Sequence, residues 1–423
     1  MRVVLAVLLV AVMASCTSSR AATYPELHGA RIEVVGAWSG IERQHFESVL
    51  RRFTSRTGAS VAYTPAHDRV PAVLDARVAA GDPPDVAVLP QPGLLQQYAK
   101  AGRLVPLAAD TAAVVHREYA SVWRHLASVE GRQYGVWFKA ANKSLLWYDI
   151  GAFEKLGIAP PSDLVGLLRA AEQMRSSGTP AFSVGAASQW VLDDWFANLY
   201  LQIAGPQSYD MLSRHQLPWT DPSVAQTLQA MTVLLRPDDL LGGLSTTLQS
   251  DFDHSVAAAF GPPSGAAMVY EGDFVAGALP STVRVGVDVD AVPFPAASAR
   301  SVVGGGDVAV ELRRSPAADA LMRYFADPAA AAIWAAAGGF LSPNQDLDLG
   351  AYHDELTRTI ARTLIEAGND FRFGLADLQP TAFGSTADAG MQGALRDFLR
   401  TGDIPATTAR LEADATVAYA GGR

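Results

Sequence analysis

The sequence predicts an α/β protein built around a parallel sheet. Three observations predict it. Short apolar runs alternate with stretches of helical spacing through residues 31–107. Each helical stretch there is closed by a glycine, the residue that accepts the left-handed turn after a helix. Hydrophobic residues make up 49% of the 423 and charged residues only 18%, a composition that fills a core and excludes disorder. A chain of this length has room for two or three domains.

Taken in order, Arg31–Val35 reads as a strand. Ile41, Phe46, Val49, Leu50 and Phe53 recur at helical spacing and Gly58 stops them. Val61–Thr64 is a second strand. Val70, Val73, Leu74 and Val78 mark a second helix, ended by Gly81-Asp82-Pro83-Pro84. Asp85–Leu89 is a buried strand, and Leu94, Leu95, Tyr98 and Ala99 make a third helix before Gly102. Strand–helix–strand–helix order implies a parallel sheet. Ligands of such sheets sit beyond the carboxyl ends of the strands, here Gly36–Ser39, the turn near Pro65, and Pro90–Pro92.

The middle of the chain continues in this style. Tyr134–Tyr148 is a long extended region. Leu164, Leu167, Leu168, Ala171 and Met174 form a helix, and Ala181–Val184 a strand. Gln189–Ile203 and Val224–Leu235 are helices, and Ala267–Tyr270 is a strand. Val283–Val292 alternates as a strand into Pro293-Phe294-Pro295. Gly304-Gly305-Gly306 reads as a flexible turn before the strand Val308–Leu312. From Pro316 onward the chain is mostly helical.

The N-terminus reads as a secretion signal. Arg2 is followed by the apolar run Val3–Val12, then Met13-Ala14-Ser15 and Cys16. The run is too short to span a hydrocarbon core, which takes about 20 residues. Cys16, the single cysteine, stands where a bacterial lipobox places the residue that is lipidated. Residues 1–15 are the expected signal peptide and 16–29 the tether. With no second cysteine there is no intramolecular disulfide.

Catalytic signatures are missing. There is no Gly-x-Ser-x-Gly elbow, no His-Glu-x-x-His and no phosphate loop. The eight histidines are scattered without metal-ligand spacing, so neither metal nor cofactor is expected. Asp193-Asp194 are adjacent on one helix and point in different directions, which makes a poor glycosidase pair. The net charge of −10 argues against nucleic acid or anionic membrane as partner. No later stretch is apolar enough to span a bilayer.

Aromatic residues are the positive signal. Five of the eight tryptophans are Trp123, Trp137, Trp147, Trp190 and Trp195. Sugar rings stack their C–H faces on aromatic planes, and their hydroxyls need polar partners. Trp147 and Trp334, on strongly apolar segments, read as core. Trp38 follows a strand end among small residues and is expected in a loop facing a cleft. Trp190, with Asp193, Asp194 and Trp195, follows another strand-end loop and is expected near the ligand.

Several segments resemble one family. Asp85-Val-Ala-Val-Leu-Pro-Gln-Pro-Gly93, Lys139–Tyr148 (KAANKSLLWY), Gly338-Gly-Phe-Leu-Ser-Pro-Asn344, Phe371-Arg-Phe373 and Asp377-Leu-Gln-Pro380 resemble the extracellular sugar-binding proteins of ABC importers. Within that family the likeness is to alpha-glucoside-binding members, relatives of maltose-binding protein. The resemblance runs over most of the chain that follows the signal segment. It departs at Phe383-Gly384, where maltose-binding protein has a stacking tryptophan.

The resemblance implies a two-lobe periplasmic-binding-protein fold of α/β class with three interlobe crossovers, near Lys139–Asn142, Gly286–Asp290 and Gly338–Leu341. Residues 30–139 and 290–340 would form the N-terminal lobe, and 140–289 with 341–423 the C-terminal lobe. It also implies ligand contacts. Trp38, Gln91 and Asp307 would come from the first lobe, and Lys139 and Asn142 from the first crossover. Trp190, Asp194, Glu271, Asp273 and Phe274 would come from the second lobe, with Phe340 and Arg372 bordering the cleft. The expected protein is a monomer on the outer face of the cell membrane, held there only by the lipid on Cys16. It would hand a small sugar to the membrane permease subunits of the importer. Two alternatives stay open: the same fold holding a polyamine or a glycerol-phosphodiester, and a secreted glycoside-acting enzyme.

Overall fold

A computed structural model of the chain describes residues 24–295 and 301–420. Cys16 and the apolar run before it lie outside the described residues.

The first lobe begins as the alternation of the sequence predicts. β1 (Arg31–Gly36), β2 (Ser60–Pro65) and β3 (Val86–Leu89) are separated by α1 (Gly40–Thr57) and α2 (Val70–Ala79), and α3 (Pro92–Lys100) follows. β1 lies between β2 and β3, parallel to both. Gly58 ends α1 at φ 77°, a backbone state that costs glycine little. Ile41 is 60% exposed, because the buried stripe of α1 begins at Phe46.

A small hairpin of β4 (Ser128–Val129) and β5 (Arg132–Gln133) leads into β6 (Gly135–Asn142) and β7 (Leu145–Asp149). β7 is the centre of a second, antiparallel sheet. It is flanked by β8 (Met268–Glu271) and β9 (Val289–Pro293). β10 (Val302–Glu311) returns to the first sheet, antiparallel to β3 and β6, and β11 (Phe371–Phe373) runs parallel beside its first residues.

The six-stranded and three-stranded sheets are the frames of two lobes, and the buried side chains form two clusters, the first of which also takes in Trp147, Val269 and Val289 from the three-stranded sheet. Phe46, Phe138, Phe325 and Trp334 are central to one. Leu146, Trp195, Phe196 and Trp219 are central to the other. Trp147 and Trp334 are fully buried, as read from their apolar surroundings.

The chain passes between the lobes three times. The first passage is Lys143–Ser144, next to the stretch expected for it. The second follows β9 and so comes later than expected, since Val289–Pro293 pairs along β7 inside the second sheet. The third is expected at Gly338–Leu341. There Phe340 stacks on Trp334 with ring centroids 5.2 Å apart, and Ala140 donates its N–H to the Leu341 carbonyl. That segment is therefore a turn held in the first lobe. The passage comes at Gly374, after which Leu375 and Phe383 join the second core.

Three other sequence expectations differ from the structure. Ala181–Val184 contributes only isolated bridges through Phe182. Residues 283–288 form a turn, so the strand expected from Val283 begins at Val289. Gly304–Gly306 lie inside β10, facing Asn142, Ala141 and Ala140 of β6. A Cβ on Gly304 would sit 2.3 Å from the Ala141 carbonyl, and one on Gly306 would sit 2.6 Å from the Lys139 carbonyl. These glycines are required by close strand approach, not by a turn.

Candidate functional site

The site forms where the passages between lobes meet the carboxyl ends of β1, β3 and β8. A register shift between Asp307 and Val308 interrupts the β6–β10 ladder and sets Asp307 directly opposite Lys139; such bulges re-aim side chains. The Lys139 ammonium pairs with Glu42, in the first turn of α1, and lies 5.2 Å from the centre of the Trp334 ring. Asp307 accepts from the Trp38 indole N–H at 3.3 Å. Asp273, just past β8, accepts from the Asn142 N–H at 2.7 Å, while the Asn142 carbonyl accepts from the Asp273 N–H at 3.0 Å.

A second ammonium group lies four residues along. Lys143 Nζ is 3.0 Å from Asp194 Oδ2, 3.1 Å from Asp194 Oδ1 and 4.0 Å from Asp377 Oδ2. It also lies 5.8 Å from the centre of the Trp190 ring. Gln91, at the N-terminus of α3, donates to Asp377 Oδ1 at 3.3 Å and to Ser385 Oγ at 3.2 Å. Glu271 ends β8 and is 1% exposed, and neither of its carboxyl oxygens has a hydrogen-bond partner among the described residues.

Seven carboxyl groups, with Asp193 beside Asp194 among them, thus surround two ammonium groups, mostly away from water. Burial pushes Asp194, Asp273 and Asp307 each up to about 6. Lys143 opposes the rise at Asp194. The Asn142 N–H and Lys139 oppose it at Asp273, and Lys139 at Asp307. Burial, with Asp194 nearby, carries Glu271 well above the usual carboxyl range. Asp377 is also raised by burial. Burial alone would lower Lys143, but Asp194 and Asp377 outweigh it and the ammonium is held charged. Among the described residues the site offers charged acceptors and donors to hydroxyl groups and presents no arginine fork to an anion.

Several residues read from the sequence meet here: Gln91, Lys139, Trp190, Asp194, Glu271, Asp273 and Asp307. Phe274 packs edge-on to Trp190 at 5.8 Å and supports its ring. Four others hold different positions from those expected. Trp38 is 3% exposed, its ring wedged between Phe46 and Trp334 at 4.6 and 4.9 Å; only its N–H serves the site. Asn142 is fully buried, its Oδ1 accepting from the Ser144 N–H at 2.9 Å, which shapes the crossover. Phe340 is 1% exposed and belongs to the core. Arg372 is paired with Asp210 at 2.7 Å, and both line a groove of about 500 Å³ together with Ser121 and His125.

Three site residues escape the sequence reading: Glu42, Lys143 and Asp377. Lys143 carries a usable signal. Along an extended chain residues alternate faces, so Lys139, Ala141 and Lys143 share one, and two lysines on one face of an otherwise apolar stretch need partners.

Among the described residues no group of His, Cys, Asp and Glu side chains is disposed to hold a metal ion, and no helix is long and apolar enough to cross a membrane.

Comparison with known proteins agrees with this architecture. Residues 40–332 match the family described as bacterial extracellular solute-binding protein. The osmoprotective compounds-binding protein GgtB of Synechocystis is 30% identical over 364 residues, covering 84% of this chain and 86% of that protein. The alpha-glucosides-binding periplasmic protein AglE of Rhizobium meliloti is 28% identical over 380 residues, covering 86% and 82%. The solved apo form of RafE from Streptococcus pneumoniae superposes with a TM-score of 0.76 at 18% identity, over 94% of this chain and 99% of that one. The chain belongs to the family of bacterial extracellular solute-binding proteins and is a binder of solutes, not an enzyme.

Proposed function

We propose that this protein captures a neutral sugar, an alpha-glucoside or related oligosaccharide, for an ABC importer and closes its two lobes over it. The observation that carries the reading is the pairing of buried carboxyl and ammonium groups with the partly exposed ring of Trp190 at the passage between lobes. Hydroxyls can donate to Asp194, Asp273 and Asp307 and accept from the lysines, while a pyranose face lies on the indole. The carboxylates that stay ionised around the two lysines disfavour anions, so a glycerol-phosphodiester fits poorly. The likeness to AglE supports a glycoside, and the likeness to GgtB adds osmoprotective compounds to the candidates. Two relatives from Pyrococcus horikoshii are called ABC transporter extracellular-binding proteins, which supports the importer partnership. Lipidation at Cys16 would hold the protein, as a monomer, on the outer face of the cell membrane within reach of the permease subunits.

The test is a thermal-shift screen of sucrose, trehalose, maltose, glucose, spermidine and glycerophosphocholine, followed by calorimetry. A ligand at about 100 times its Kd stabilises the fold by ~2.7 kcal/mol. A shift with one or more of the sugars is expected. Shifts only with spermidine or glycerophosphocholine would overturn the reading.

A further inference from the structure

Lys143 is fixed more firmly than its surroundings require for packing alone. Its N–H donates to the Val303 carbonyl of β10 at 2.9 Å, and its carbonyl accepts from the Tyr270 hydroxyl at 2.8 Å. The same hydroxyl lies 2.9 Å from the Asp194 carbonyl, so Tyr270 ties the backbones of Lys143 and Asp194 to one point. The side chain runs past a glycine of β10: a Cβ on Gly305 would lie 3.5 Å from Lys143 Cε, at ordinary contact distance.

An ammonium group has three N–H donors. Asp194 Oδ1 accepts from it at 3.1 Å and Oδ2 lies 3.0 Å away as an ion-pair contact, whereas Asp377 at 4.0 Å interacts through charge alone. At least one donor therefore has no close acceptor among the described residues. Asp377 is in turn held by Gln91 from the end of β3. The sequence of contacts Gln91, Asp377, Lys143, Asp194 runs from the first lobe to the second without a gap longer than an ion pair.

Resting on the sugar reading above, we infer that Lys143 is the positioning residue of this site: it holds Asp194 and Asp377 as paired acceptors beside the passage between lobes, and gives its remaining N–H to a solute hydroxyl. The titratable groups around it are Asp193 and Asp194 on the helix Trp190–Leu212, Glu271 on β8 and Asp377 after β11. Lys139 faces a different set, Glu42, Asp273 and Asp307. With Lys143 removed, Asp193, Asp194, Glu271 and Asp377 lose their nearest cation. Asp194 then stays protonated to higher pH, and a protonated carboxyl is a weaker acceptor for a hydroxyl.

The experiment is calorimetric titration of the best sugar from the screen into wild type, Lys143→Met, Lys143→Arg and Asp194→Asn between pH 5 and 8, with melting curves for each. Wild-type affinity is expected to rise with pH through about 6, where Asp194 ionises. Lys143→Met is expected to bind about 10- to 100-fold more weakly at pH 7, the loss typical of a charge-assisted hydrogen bond, and its rise is expected at higher pH. Lys143→Arg restores the wild-type midpoint while recovering only part of the affinity, because a planar fork replaces a point charge. Should Lys143→Met fail to fold, Lys143→Arg and Asp194→Asn decide: Asp194→Asn removes the Asp194 part of the pH dependence. Wild type that binds no sugar overturns the functional reading. Wild type that binds, with wild-type affinity and an unmoved midpoint in the folded variants, overturns the role of Lys143 alone.

Discussion

The indole N–H of Trp38 donates to Asp307 across 3.3 Å, so a core aromatic residue orients a carboxyl group of the site. The ring and the N–H have separable roles. Trp38→Ala is expected to destabilise the fold by about 3–5 kcal/mol through the cavity it leaves. Trp38→Phe keeps most of the packing against Phe46 and Trp334 and should weaken sugar binding with a smaller loss of melting temperature. Trp190→Ala should weaken binding by about 0.5–1.5 kcal/mol beyond area burial. Calorimetry and melting curves on the three variants separate support from contact; equal affinity in Trp190→Ala and wild type would remove that ring from the site.

Close strand approach predicts a different kind of sensitivity at Gly304. Its Cβ would meet the Ala141 carbonyl at 2.3 Å and the Phe371 ring at 2.4 Å. Gly304→Ala should cost about 1–3 kcal/mol of stability, the range for overpacked positions. At Gly305, where the nearest atom is the Lys143 stem at 3.5 Å, alanine should be tolerated. Denaturant midpoints for the pair provide the measurement, and equal midpoints would contradict the strand register.

The buried carboxyl groups predict an acid-favoured free protein. Asp194, Asp273 and Asp307 move from an ordinary 3.8 up to about 6. Between those values the folded chain keeps protons that the unfolded chain has lost. Stability from these groups therefore falls as pH rises from about 4 to about 6, with a slope of at most ~1.4 kcal/mol per pH for each group. Without ligand, the melting temperature should be higher at pH 5.5 than at pH 7.5. The triple Asp→Asn variant at these positions should lose most of that difference.

Contacts from both lobes predict closure on binding. A solute favours the closed form only by its differential affinity for it, and moving the population from 1:99 to 99:1 takes about 5.5 kcal/mol. Small-angle scattering should show a smaller radius of gyration at saturation. An unchanged radius would place the solute outside the passage between lobes.

Anchoring predicts that Cys16→Ala moves the protein from the membrane fraction to the soluble one. Each buried methylene contributes about 0.8 kcal/mol, and two chains hold firmly. Fractionation of cells carrying the variant is the check, and full retention in the membrane fraction would contradict lipidation.

The first lobe is legible in the sequence because its signals are local. Period two, period 3.6 and terminal glycines mark β1 to α3 without reference to anything distant. The glycines at 304–306 read as a turn because their reason is not local: it lies in the Ala141 and Lys139 carbonyls, some 160 residues earlier in the sequence. The boundaries at 286–290 and 338–341 fail likewise, since strand pairing with β7 and stacking on Trp334 decide them. Among site residues, Gln91, Trp190 and Asp194 stand at strand or helix ends where period and turn chemistry point. Trp38 stands at such an end too, and its neighbours in the core, not its own position, turn the ring inward.

Glu271 is buried at the end of β8 without a hydrogen-bond partner among the described residues. Such a group weakens the empty protein, and under the function proposed above a solute hydroxyl would be its partner. Replacement by glutamine or leucine should raise the melting temperature of the free chain while eroding capture. Laboratory evolution of this scaffold toward heat resistance alone would therefore discard its acidic residues first, and a biosensor built on it should be selected with solute present throughout.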